Sequence, residues 1–160
     1  MPDAAFDALP PALRTLQTRP LFVMRLQVKP LQVVGPQRRI GVVPGGTFDG
    51  ERLRGEVLDS GVDWQTVSAD AVTGLDVRLV LKTHDGALIA MTYQGRRHGP
   101  PAVLARLAKG EAVDPTEYYF RIHGGFETTA EPYAWLNGVV AVGTGHRLPE
   151  GPVYSLFEVL

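Results

Sequence analysis

Residues 61 to 95, GVDWQTVSADAVTGLDVRLVLKTHDGALIAMTYQG, alternate apolar and polar side chains around a His-Asp-Gly turn. Leu75, Val77, Leu79 and Leu81 oppose Asp76, Arg78, Val80 and Lys82. A period of two belongs to a strand with one buried and one wet face. Asp85-Gly86 accepts the positive φ of a tight turn, so the segment is an antiparallel hairpin. Such a hairpin must bury its apolar side. Close-set turn signals supply further strands: Gly (18) and Pro (13) punctuate the chain along its whole length.

Before the hairpin, PLFVMRLQVKP (20–30) is a strand with Phe22, Met24, Leu26 and Val28 on a wholly apolar side. LQVVGPQRRIGVVPGGTFDG is a strand broken at Gly35-Pro36, with a turn at Gly45-Gly46. After the hairpin, Pro at the start, Gly110 at the end, and Val103, Leu104 and Leu107 between them predict a short helix over 101–109. EYYFRIHGGFETT is a strand bent at its Gly pair, AEPYAWLN is one helical turn, and 138–147 and 151–160 are the last strands. The fold class is therefore all-β: a closed or nearly closed antiparallel β-barrel of about nine or ten strands with one or two short helices. Residues 1–19 form a leader and 20–160 a single barrel domain. No alternation of strands with long helices supports a doubly wound sheet.

Sixteen basic and 17 acidic side chains give a net charge of −1 without long runs of one sign, so nucleic acid and anionic membrane are not expected partners. The absence of cysteine excludes disulfides and thiol catalysis. The first 20 residues lack a positive n-region and a long apolar run, and the cytoplasm is the expected compartment. If the apolar side of 20–30 lay outside the barrel it would need covering, which predicts a homodimer.

Four segments, LRGEVLDSGVDWQTV, LDVRLVLKTHDGALIAMTYQG, VDPTEYYFRIHGGFET and YAWLNGVVAVGTG, together resemble the domain-of-unknown-function family three-two-three-seven, over residues 20 to 160. The matching residues are Gly61 to Gln65, Arg78, Tyr118 to Arg121, Phe126-Glu127, and Tyr133 to Asn137. Gly125 departs from the Pro that members commonly carry before the Phe. The resemblance implies a calycin-like closed barrel and no established activity. It also implies that Arg78 keeps company with Glu127 and Asn137.

The candidate catalytic residues are Glu127, Arg78 and Asp63. Glu127 or Asp63 would be a general base, and Arg78 or Arg121 would hold developing negative charge. Trp64, Tyr119, Arg121, Tyr133, Trp135 and Asn137 are candidate ligand-binding residues, aromatic walls with a few polar groups. Tyr133, Trp135 and Asn137 equally suit a plug closing one barrel end. Two placements compete on strand 75–83. If the leucine face is the lumen, Arg78 is solvated; if the lumen is polar, Arg78 is a buried cation needing a carboxylate. The resemblance favours the second, with Trp64, Arg78, Glu127 and Asn137 meeting in one pocket and Asp63 outside it or at its rim. Trp64 and Asp63 cannot both face inward on a regular strand.

His84, His98, His123 and His146 show no metal-ligand spacing, and no Gly-rich segment has a Walker or dinucleotide context. No serine has a nucleophile-elbow context. The expected ligand is a small molecule, with no metal and no cofactor. Its use is proton-transfer chemistry of isomerase, cyclase or lyase type, or binding without chemistry; a third reading is a barrel packed shut.

Overall fold

A computed structural model describes residues 3–160. The strands are β1 (Thr18–Gln27), β2 (Gln32–Val33), β3 (Arg38–Val43), β4 (Gly45–Asp49), β5 (Arg54–Val57), β6 (Gly61–Val67), β7 (Thr73–Thr83), β8 (Leu88–His98), β9 (Tyr119–Glu127), β10 (Ala141–Leu148) and β11 (Gly151–Val159). Helices α1 (Ala4–Asp7) and α2 (Pro101–Ala108) are short, and Glu131–Gly138 is a run of 3-10 helix. Eight strands close a ring in the order β1-β4-β5-β7-β8-β9-β10-β11, and β11 pairs back onto β1. All pairings are antiparallel. The remaining strands lengthen one wall: β6 pairs with the first half of β7, β3 with β6, and β2 with β3.

The leucine face of β7 is the lumen. Leu75, Val77, Leu79 and Leu81 are buried against Ile89, Met91 and Tyr93 of β8, Phe120 and Ile122 of β9, and Met24 and Phe48. Phe22, Met24 and Leu26 point to the same interior. That corrects the premise of the homodimer expectation, because the apolar side of β1 is already covered by the barrel's own core. Gly45-Gly46 is a second correction. Both residues lie in β4, opposite Gln27 and Leu26, rather than in a turn. A Cβ on Gly46 would stand 2.2 Å from the Arg25 carbonyl oxygen, so glycine is there for close backbone approach.

The two ends of the barrel are closed differently. At one end the 131–138 segment inserts Tyr133 and Leu136 under the rim. At the other, β6, β10 and the start of β11 surround a narrow opening, hereafter the mouth. Here α2, entered through Pro100-Pro101 and stopped by Gly110 at φ +77°, buries Val103 and Leu107. The loop after α2 is tied to β10 by a 3.1 Å contact between His146 Nε2 and the Val113 carbonyl. The Arg147 N–H also donates to the Tyr118 hydroxyl at 2.8 Å.

Candidate functional site

Strand parity builds the mouth. On β6, Gly61, Asp63 and Gln65 face inward while Val62, Trp64 and Thr66 face out. Arg97 continues the inward parity of Ile89, Met91 and Tyr93 on β8, and Arg39 stands opposite Gln65 across the β3–β6 ladder. Asp63, Gln65, Arg97, Arg147 and Tyr154 line a cavity of about 130 Å³ whose other walls are Leu75, Phe120, Val28, Leu31 and Pro152. The polar lining is deeply covered: Asp63 is 8%, Gln65 6% and Arg97 7% exposed.

Asp63 is held from two sides. Gln65 Nε2 donates to Oδ2 at 2.7 Å, and the Asp76 N–H donates to Oδ1 at 3.3 Å. Burial nevertheless outweighs these bonds and the pull of Arg97, so the carboxyl's pKa is raised above its ordinary value. Burial also lowers Arg97 to about 10, with Arg147 and Arg39 adding repulsion. Arg147 is lowered by burial and then by Arg39. Burial raises the phenols of Tyr93 and Tyr154, whose rings meet edge to face at 5.5 Å. Among the described residues none of Arg39, Arg97 and Arg147 makes an ion pair. Arg97 lies over the Phe120 ring, 5.2 Å from its centroid. Arg39 Nε and Gln65 Oε1 are buried without a hydrogen-bond partner. The mouth is thus a largely buried site in which Arg97 and Arg147 stand beside one carboxyl, with half-buried Arg39 next to them, and in which Arg39 Nε and Gln65 Oε1 await partners. That arrangement can bind negative charge and hold a proton on Asp63.

The other candidate residues lie elsewhere. Trp64 is 50% exposed on the outer face, under the Arg38 guanidinium at 5.4 Å, and Asp63 is inside, the reverse of the expected placement. The reason is local: the mouth is polar, so the small and polar residues of β6 take the inner face and the large indole goes out. Arg78 and Glu127 also lie outside. They share one shallow outer groove with Asp76, Gln94 and His123 but form no ion pair. Tyr119 and Arg121 occupy an adjoining outer groove, Tyr119 stacked on His98 at 4.7 Å and Arg121 over Tyr119 at 5.0 Å. Tyr133, Trp135 and Asn137 belong to the plug at the far end. The Tyr133 hydroxyl donates to Asp85 at 2.8 Å, and Trp135 lies under Arg52 at 4.1 Å. Asn137 accepts from the Thr128 N–H at 2.8 Å and donates to its carbonyl at 2.9 Å. The expected convergence of Trp64, Arg78, Glu127 and Asn137 does not occur, since Asn137 is an exposed residue of the plug segment at the far end and the other three are on the outer wall.

Sequence reading missed Arg39, Arg97, Arg147, Tyr93 and Tyr154. The signal for Arg97 was present: β8 runs three residues past Gly95, and unbroken parity from Ile89 places Arg97, not Arg96, inside. Arg147 follows Ala141, Gly143 and Gly145 with the same spacing. Among the described residues no cluster of His, Asp and Glu is disposed to hold a metal ion, and no helix is long and apolar enough to cross a membrane.

Residues 16–159 match the family described as "Protein of unknown function (DUF3237)". A UPF0311 protein of Rhodopseudomonas palustris is 33% identical over 150 residues, covering 91% of this chain and 98% of its own. A solved structure of a conserved protein of unknown function from R. palustris superposes with a TM-score of 0.88 at 33% identity, covering 95% of this chain and 100% of that one. A barrel-like protein from Acinetobacter baumannii gives 0.81 at 38% identity, with 96% and 99% covered. A protein from Penicillium herquei described as an enzyme gives 0.70 at 23% identity, with 91% and 95% covered, which is a likeness of fold. The chain belongs to the DUF3237 family.

Proposed function

We propose that this member of the DUF3237 family binds a small anionic or carbonyl-bearing molecule in the barrel mouth and moves a proton on it through Asp63. The observation that carries this reading is that Arg97 and Arg147 line the cavity beside a single carboxyl, with Arg39 close by, and that none of the three makes an ion pair. An unpaired buried cation is costly, so a fold that keeps it gains by supplying the anion from outside. A carboxyl whose pKa is raised by burial is a better base once ionised and keeps its proton to a higher pH than an exposed one. Arg97 and Arg147 would stabilise charge that grows on an enolate or alkoxide oxygen. The chemistry is that of an isomerase, cyclase or lyase; of the two expected bases it takes Asp63 rather than Glu127, and it gives the role of charge holder to Arg97 in place of Arg78 or Arg121.

The test begins with mass spectrometry of small molecules released from the purified protein. The released compound is then incubated in D2O with wild type and with Asp63→Asn. Deuterium incorporation or product formation by wild type alone supports the reading. Equal behaviour of the two proteins rejects proton transfer by Asp63. A carrier without chemistry is favoured by a separate observation. Both Asp63 oxygens already accept hydrogen bonds from Gln65 and Asp76, which suits a carboxyl that positions its neighbours. That second reading expects the released compound to be returned unaltered.

A further inference from the structure

The geometry points to a hydroxylated aromatic carboxylate as the head group that the mouth accepts. This rests on the reading of the mouth as a ligand pocket and names the chemistry that fills it. The guanidinium groups ask for an anion, and so does Arg39 Nε, a buried donor without an acceptor. Arg97, 7% exposed and without a hydrogen bond to any described residue, is free to make a forked contact with a carboxylate. An anion alone leaves one group unsatisfied. Gln65 Oε1 is a buried acceptor, because Gln65 Nε2 is committed to Asp63 Oδ2. It requires a donor, and neither a fully ionised phosphate nor a bare carboxylate has one. A hydroxyl on the same molecule supplies it.

The apolar walls choose the framework that carries these two groups. Leu75, Phe120, Val28 and Leu31 face the same cavity. The volume of about 130 Å³ is a little below the roughly 150 Å³ cavity that takes up benzene, so it admits the polar edge and part of one ring, the rest lying in the opening. A larger ligand would extend outward between the 148–152 turn and β6. The polar atoms thus specify an anion and a donor, and the walls specify a flat apolar body between them.

The test is calorimetric titration of the intact protein at neutral pH with benzoate, 3-hydroxybenzoate, 4-hydroxybenzoate and 3-hydroxybenzamide. One hydroxybenzoate should bind about tenfold more tightly than benzoate, the effect of one buried hydrogen bond. The amide, lacking the anion, should bind at least tenfold more weakly than the corresponding acid. In Gln65→Met the hydroxyl's advantage should vanish while benzoate still binds. In Arg97→Met all three acids should lose affinity. If Gln65→Met does not fold, the wild-type comparison of benzoate with the two hydroxybenzoates decides. Equal affinities for all three acids, still dependent on Arg97, would overturn the hydroxyl requirement and leave the anion pocket standing. Failure of every probe to bind, or binding indifferent to Arg97→Met, would overturn both. A hydroxyl advantage without any Asp63-dependent deuterium exchange supports the head group assigned here and counts only against proton transfer.

Discussion

The two ends of the barrel use polar residues in opposite ways. At the plugged end every polar group named is matched. Asn137 exchanges two hydrogen bonds with the Thr128 backbone, Thr128 Oγ1 donates to the Leu88 carbonyl at 2.7 Å, and Tyr133 reaches Asp85. At the mouth Asp63, Gln65 and Arg97 are buried more deeply than the exposed Asn137 and Asp85 of the plugged end, yet Arg97 has only an aromatic face beneath it, and Arg39 Nε and Gln65 Oε1 have nothing. Satisfied polar groups fix a structure, whereas unsatisfied ones cost stability and persist where something else selects for them. The plug is organised for folding, and the proposed reading gives the mouth an occupant.

Four substitutions test this contrast. The largest effect is expected at the plug, where Leu136 is fully buried. Leu136→Ala should cost about 2–5 kcal/mol in urea unfolding, and benzoate affinity should be unchanged. Loss of binding in a folded Leu136→Ala protein would show that the ends are coupled. Asn137→Ala should cost about 0.5–1.5 kcal/mol, because two hydrogen bonds to the Thr128 backbone are lost at an exposed site where water can replace them.

Asp63→Asn should move stability the other way. The folded-state pKa of Asp63 lies above the ordinary 3.8, so the folded protein holds this proton more tightly than the unfolded chain does. Stability therefore falls as pH rises from 3.8 through the folded pKa. The Asn variant, spared that loss, should match wild type in acid and exceed it at pH 7. Denaturant midpoints at both pH values measure this, and a less stable variant at pH 7 would mean that the carboxylate is a net stabiliser of the arginines. The smallest effect is expected on the outer wall. Arg78→Ala should change stability by no more than about 0.5 kcal/mol and leave the mouth untouched. A large loss would restore the buried-cation reading of that residue.

The barrel itself was legible because its lumen is mostly apolar, and alternation reports an apolar lumen directly. The leucine face of β7, the Asp85-Gly86 turn and the α2 boundaries all follow from local patterns. The mouth was not legible for the same reason in reverse. Where the interior turns polar, hydrophobicity no longer distinguishes inside from outside, and Trp64 outranks Asp63 as a core residue. Only parity carried through from the apolar half of a strand locates such residues. It does so for Arg97, counted from Ile89, but β6 has no apolar inner half from which to count. Arg78 shows the converse. Its strand pattern placed it outside, and the resemblance drew it inward. Asn137 was found as part of a motif, but a clasp on Thr128 depends on a backbone that pattern alone does not reveal.

The seam between β1 and β11 has a consequence for how the chain acquires its shape. Thr18 pairs with Val159 and Arg25 with Val153, so the ring is sealed by segments far apart in sequence. During synthesis, one long edge of β1 stays open until β11 has been made. Contacts of such separation slow folding, since the intervening loop must be ordered before the ladder rewards it. Until then the exposed edge is a template for pairing with another nascent chain. Late closure makes this barrel most vulnerable to aggregation at the moment when nearly all of its residues are already in place.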